Sequence, residues 1–159
     1  MKTIIIMRHG EAEPLCQQDE LRTLTNTGKA EARAMGVWLS KQPFQPDAAL
    51  ISPYTRAQQT AAEVLACNPV RYQETCKDII PSGNASVAID YLETLISMQP
   101  QCQSWLLVSH MPIVSYLVDQ LCPGELPIFQ PAAAAIIEYH ETTRQAVLLT
   151  LKVPSQVCN

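Results

Sequence analysis

Charge is scarce in this sequence: Asp, Glu, Lys and Arg make up 16% of it, and fifteen acids against eleven bases leave a formal net charge of −4. A nucleic-acid binder normally carries a basic face, so that partner class is not expected. No apolar run approaches the roughly 18 residues that cross a bilayer, so no membrane partner is expected either. The apolar stretch Ile4–Met7 ends at Arg8 after four residues, too short for the ~7–15 of a signal-peptide core, and is better read as a buried strand. There is no C-x-x-C and no Cys–His pairing at zinc-finger spacing. The six cysteines, Cys16, Cys67, Cys76, Cys102, Cys122 and Cys158, lie far apart and read as reduced thiols of a cytoplasmic protein, several of them in the core. Phosphate-binding glycine loops, kinase motifs and clustered aspartates for magnesium are absent, as are repeats and long linkers. Neither metal nor cofactor is expected.

What is present is a chain of 159 residues, 47% of them apolar, enough for one domain over residues 1–159 with a sizeable core. Strand-like and helix-like segments alternate. Thr3–Met7 reads as a buried strand. Thr25 caps a helix over about Asn26–Lys41 with Ala30, Ala34, Val37 and Trp38 on its inner face. Ala48–Ile51 is a short strand, followed by Ser52 as helix cap and Pro53 as first helical residue, with Ala57, Ala61, Val64 and Leu65 on one stripe. A weaker strand is expected at Lys77–Ile80, then a helix over Ala85–Met98 burying Val87, Tyr91, Leu92 and Leu95. Ser104–Ser109 is a strong strand, and a helix begins near Pro112 and ends around Leu121. Ala132–His140 and Ala146–Val153 are expected to form a hairpin at the sheet edge. The pattern predicts a three-layer α/β/α sandwich around a mixed, mostly parallel sheet of about six strands.

Open α/β sheets bind ligands beyond the C-terminal ends of their strands, so the residues found there carry the functional reading. Arg8-His9-Gly10-Glu11 follows the first strand, Ser52 to Arg56 the second, and His110-Met111-Pro112 the Trp105 strand. Two of only three histidines therefore converge on one rim, with two arginines. Arg8 beside a buried strand is costly unless an anion pairs with it. Gly10 lets the backbone turn sharply or approach a ligand closely. Arg56 in the first turn of its helix opposes the helix dipole, by about 0.3–1 kcal/mol, unless an anion lies in front. His140, in a strand near a turn, reads as a solvated surface group. A zinc site built from His9 and His110 is disfavoured because the arginines repel a metal.

Two guanidiniums and two imidazoles around one point suit a phosphoryl group. Arg8 and Arg56 lower the proton affinity of His9, leaving it a neutral nucleophile toward phosphorus, while His110 stabilises an equatorial oxygen.

Arg8-His9-Gly10 after the first strand, Leu24-Thr25-Asn26-Thr27-Gly28 (L-T-x-x-G), Ser52 to Thr60 (S-P-x-x-R-A-x-Q-T) and Val108-Ser109-His110 together resemble the histidine phosphatase superfamily, which includes the phosphoglycerate mutases. The resemblance runs from Met1 to about Leu151. Pro81-Ser82-Gly83, Ser109 to Pro112 and Leu121 to Glu125 are most similar to its phosphohistidine phosphatases. It implies a phosphoglycerate mutase-like fold and hydrolysis of the P–N bond of a phosphohistidine on a phosphotransfer domain of a histidine kinase. Under it, His9 is the nucleophile, Arg8, Arg56 and His110 form the phosphate pocket, Gly10 lies against the substrate, and Arg22 contacts phosphate or protein substrate. Larger relatives supply a carboxylic acid after the third strand. That stretch is short here, leaving Asp78 nearby and Glu11 or Glu13 as alternatives. An alkoxide needs a strong proton donor to leave and a protonated imidazole does not, so a weak acid suits a P–N bond. A small-molecule phosphatase or mutase of the same superfamily, and a non-catalytic phosphoprotein-binding module, are the alternatives.

Overall fold

A computed structural model describes residues 1–14 and 18–157. Strands and helices alternate as β1 (Lys2–Arg8), α1 (Asn26–Ser40), β2 (Ala48–Ile51), α2 (Thr55–Leu65), β3 (Tyr72–Thr75), α3 (Ala85–Met98), β4 (Ser104–Ser109), α4 (Ile113–Leu121), β5 (Ala134–His140), β6 (Gln145–Lys152) and α5 (Pro154–Val157). Short 3-10 turns occupy Asp19–Leu21 and Lys77–Ile79. One six-stranded sheet has the order β3-β2-β4-β1-β5-β6. β1 pairs in parallel with β4, β4 with β2 and β2 with β3, whereas β5 runs antiparallel to both β1 and β6. The sheet is thus mixed, with helices on both faces.

Strand periodicity divides the core in two. Ile4, Ile6, Leu50, Trp105, Leu107, Ala135 and Ile137 pack beneath α3 and α4. Their neighbours Ile5, Met7, Ala49, Ile51, Leu106, Val108 and Ile136 pack beneath α1 and α2. Because the four central strands are covered on both sides, they read as unbroken apolar runs, and three of their four ranges are plain in the sequence.

Departures occur where burial is one-sided. The weak strand lies at Tyr72–Thr75, and Lys77–Ile79 is a 3-10 turn. An edge strand buries only alternate residues, so Tyr-Gln-Glu-Thr carries no apolar run, yet Tyr72 stacks on Trp105 with ring centroids 5.8 Å apart. On α1 the buried stripe is Gly28, Ala32, Met35, Gly36 and Leu39, while Ala30 and Val37 face solvent. On α3 the buried residues include Ala88, Ile89 and Ile96, and Val87 is exposed. Helix α2 begins at Thr55 with Tyr54 at its N-cap, two residues later than the Ser-Pro pair implies, because Ser52 is engaged elsewhere. In the hairpin, β5 is interior and β6 alone forms the edge. Cys76, Cys102 and Cys122 are buried free thiols and Cys67 is half-buried and free; Cys16 and Cys158 lie outside the described residues. No described helix is long and apolar enough to cross a membrane.

Small residues bring α1 and α2 together. A Cβ on Gly36 would sit 2.9 Å from the Val64 Cα and 3.2 Å from its carbonyl oxygen, and backbone atoms cannot rotate away. The buried Asn68 amide ties the same crossing by donating to the carbonyls of Gly36 and Val64, at 2.9 and 2.8 Å. Gly36→Val is expected to destabilise the protein by about 1–3 kcal/mol through overpacking. Urea unfolding measures this, and an unchanged midpoint would show that the helices separate at no cost.

Candidate active site

Strand register assembles the site. Met7 lies opposite Val108, and Val108 opposite Ile51, so the next residues of β1, β4 and β2 emerge together. The His9 amide donates to the Ser109 carbonyl at 3.0 Å, and the Ser52 amide to the Val108 carbonyl at 3.0 Å. From the other side, the Ala132 amide donates to the His9 carbonyl at 2.9 Å. His9 and His110 are both buried, and their rings stand 5.2 Å apart.

Gly10 and Gly28 fix the loop after β1. A Cβ on Gly10 would lie 2.5 Å from the Gly28 carbonyl oxygen, and one on Gly28 would collide with the Glu11 carbonyl. The glycine of L-T-x-x-G is therefore needed where the first turn of α1, capped by Thr25 Oγ1 on the Gly28 amide, meets the loop backbone. Thr60 Oγ1 accepts the Gly10 amide at 3.0 Å and donates to the Arg56 carbonyl at 2.8 Å, while Gln59 Oε1 accepts the Leu24 amide at 2.7 Å. The last two residues of the A-x-Q-T segment thus brace the loops.

A backbone carbonyl sets the tautomer of His9. His9 Nδ1 is 2.6 Å from the Gly10 carbonyl, which only accepts, so Nδ1 carries the hydrogen and Nε2 the lone pair. Arg56 Nε donates to that Nε2 at 3.3 Å. Ser52 Oγ accepts the Tyr54 amide at 3.3 Å and lies 2.7 Å from His110 Nε2. With the Ser52 hydroxyl hydrogen given to Nε2, His110 Nδ1 is an N–H donor, buried and without a partner. Arg8 Nε is likewise a buried donor without a partner, although Arg8 Nη1 donates to the Phe129 carbonyl at 2.8 Å. Unsatisfied donors beside a lone-pair nitrogen suit an incoming oxyanion.

Arg22 and Arg56 meet on Asp19, a residue that sequence reasoning passed over. Arg56 Nη2 donates to Asp19 Oδ2 at 3.1 Å and Arg22 Nε to Oδ1 at 2.9 Å; Arg56 Nη1 also donates to the Asp19 carbonyl at 2.7 Å. The i,i+3 spacing of Asp19 and Arg22 was the one available clue. Tyr54 covers the group, its ring 5.1 Å from the Arg56 guanidinium and 5.1 Å from the His110 ring.

Arg8, His9, Gly10, Glu11, Arg22, Arg56 and Met111 line a cavity of about 270 Å³. Neither Asp78, in the 3-10 turn after β3, nor His110 is among its lining residues, but the His110 ring lies 5.2 Å from that of His9, which lines it. His140 ends β5, 3.5 Å from Glu138 and half-exposed. Among the described residues no group of three or more His, Cys, Asp or Glu is arranged to hold a metal.

A mixed α/β sheet with three guanidiniums and the His9 imidazole lining one cavity beyond its strand ends, and the His110 ring against His9, defines the class: an enzyme of the phosphoglycerate mutase-like fold. The model of the histidine phosphatase superfamily (branch 1) matches residues 4–79. Phosphohistidine phosphatase SixA of Escherichia coli is 38% identical over 141 residues, covering 87% of this chain and 86% of the relative. A SixA homolog of Haemophilus influenzae is 39% identical over 142 residues, 83% of this chain and 85% of the relative. The solved structure of the protein histidine phosphatase SixA complexed with tungstate superposes with a TM-score of 0.89 at 34% identity, over 97% of this chain and 98% of that one. The chain belongs to the histidine phosphatase superfamily and is a phosphatase, a hydrolase.

Burial is the largest influence on both imidazoles. It lowers His9 from the ordinary 6.5 to about 4, against the raising effect of the Gly10 carbonyl and with help from Arg56, Arg8 and Arg22. It lowers His110 to about 3, with His9 and Arg56 adding to the effect. The arginine charges are therefore secondary to desolvation. Once unfolded, both rings take up a proton near 6.5. Their contribution to stability is complete above that pH and is lost as pH falls toward 4, each unit of displacement amounting to about 1.4 kcal/mol. In NMR titrations the ring signals of His9 and His110 are expected to stay in their neutral positions down to about pH 5. Midpoints near 6.5 for both would contradict the burial argument.

Proposed function

We propose that this phosphatase removes the phosphoryl group from a phosphohistidine on a signalling protein, the phosphotransfer domain of a histidine kinase, through a phospho-His9 intermediate. The observation that carries the mechanism is His9 itself: Nδ1 is fixed on the Gly10 carbonyl, Nε2 carries the lone pair, and a lowered proton affinity keeps it available at neutral pH. In the first step Nε2 forms a bond to phosphorus as the P–N bond of the substrate breaks, and the electron pair leaves with the substrate imidazole, which keeps or gains a ring proton. Arg56 Nε turns from Nε2 to a phosphoryl oxygen, while Arg8 Nε and His110 Nδ1 supply two buried nitrogens that lack partners among the described residues. In the second step water forms a bond to phosphorus and loses a proton to solvent as the P–Nε2 bond breaks, its electron pair returning to Nε2, and orthophosphate and free His9 result. Arg8, Arg56 and His110 hold the phosphoryl oxygens. Gly10 lets the loop lie against them, and Arg22 adds charge at the rim.

The P–N substrate is favoured by the poverty of proton donors. Asp19 is held as a carboxylate: burial raises its proton affinity, but hydrogen bonds from Arg22 and Arg56 outweigh that and lower it. With Asp78 off the lining, Glu11 is the carboxyl placed to supply a proton. Imidazole, a far better leaving group than an alkoxide, needs little such help. The relatives named phosphohistidine phosphatase point the same way.

Rapid quenching with a phosphohistidine protein is expected to trap an acid-labile, base-stable phosphoryl group on the enzyme. His9→Ala removes the label and lowers turnover by about a thousandfold or more. A label that survives in this variant excludes His9 as nucleophile. Against sugar phosphates and phosphoglycerate, the phosphohistidine protein is expected to show the higher kcat/KM. The reverse order makes the protein a small-molecule phosphatase, and phosphoprotein binding with no turnover makes it a recognition module.

A further inference from the structure

The mechanism leaves one charged group at the site unused. We propose that Asp19 is a built-in counter-anion that weakens the grip of the arginine cluster on orthophosphate and so favours release of the product. It acts through Arg56 and Arg22 rather than by touching the substrate, and the inference rests on reading the His9 cavity as the phosphoryl site.

Three guanidiniums line or border that cavity, and they attract product as well as substrate. Binding that is equally strong before and after the chemical step adds nothing to kcat and delays departure of the product. Asp19 divides its two carboxylate oxygens between two arginines, at 2.9 and 3.1 Å, much as two oxygens of a phosphoryl group would. Every donor it occupies is one for which orthophosphate must compete, and its negative charge repels the anion. Its charge is secure, since the same two arginines hold its proton affinity down.

The side chain and the backbone of Asp19 do separate things. Its carbonyl accepts from Arg56 Nη1 at 2.7 Å, and this brace survives any substitution. Arg22 is braced independently, because its Nη1 donates to the Glu13 carbonyl at 2.9 Å. The carboxylate thus contributes charge more than it contributes position. Its side chain is 37% exposed, so replacing it opens no cavity.

The test is calorimetric titration of orthophosphate into the wild type, Asp19→Asn, Asp19→Glu and Arg56→Ala, with kcat/KM measured alongside. Asp19→Asn is expected to bind orthophosphate about three- to tenfold more tightly and to be inhibited by it at a correspondingly lower concentration, and Asp19→Glu to return the affinity toward wild type. Unchanged or weaker binding in Asp19→Asn overturns the proposal, and weaker binding with lower kcat/KM assigns Asp19 a purely structural role. Orthophosphate binding that Arg56→Ala leaves intact places the anion elsewhere. That result sinks the phosphoryl-site reading itself, a failure distinct from the others.

Discussion

The site depends on keeping neutral imidazoles and charged guanidiniums side by side in a buried place. Guanidiniums are expensive to desolvate, and three of them repel one another. The structure offsets this with backbone oxygens: Phe129 for Arg8, Glu13 for Arg22 and Asp19 for Arg56. The Asp19 carboxylate joins the last two. Carbonyl dipoles and one shared carboxylate neutralise the cluster only in part, and the remaining positive potential, with burial, keeps His9 and His110 unprotonated. The same arrangement that attracts an oxyanion therefore preserves the nucleophile that attacks it.

Rigidity at the site is built from close backbone contacts. Gly10 and Gly28 let the loop after β1 lie directly on the first turn of α1, and Thr60 ties that loop to α2. Ala132, held at a φ of 62° in the left-handed region, fastens His9 from the far side through its amide. Such a conformation costs about 1–2 kcal/mol for a residue with a Cβ and persists only where surrounding contacts over-determine it. His9 is consequently held by its own main chain from the end of β4 and from the turn before β5, and its ring by the Gly10 carbonyl.

Much of this was legible beforehand, and the reason differs from element to element. β2, α3 and β4 match their expected ranges because apolar residues and nearby prolines mark them locally. β3 was displaced because an edge strand carries only half an apolar signal. Val37 on α1 and Val87 on α3 are exposed although periodicity counts them as apolar; on α1 the close crossing with α2 instead buries Gly36. Ser52 was read as a helix cap, yet its hydroxyl serves His110, a partner 58 residues away. Asp19 gave almost no signal, since its role exists only when Arg22 and Arg56 come together.

Local chemistry alone determined which residue types stand after each strand: Arg8 and His9 after β1, Ser52 and Arg56 after β2, His110 after β4. Strand ends are written in the sequence as abrupt losses of apolar character. Only the folded chain decided how these groups meet. Sheet register sets the 5.2 Å between the imidazoles, and burial more than the neighbouring charges lowers their proton affinity. The position of the Asp19 turn gives the arginines their counter-anion. Distance, desolvation and ion pairing are properties of residues far apart in the chain, so no local stretch of sequence contains them.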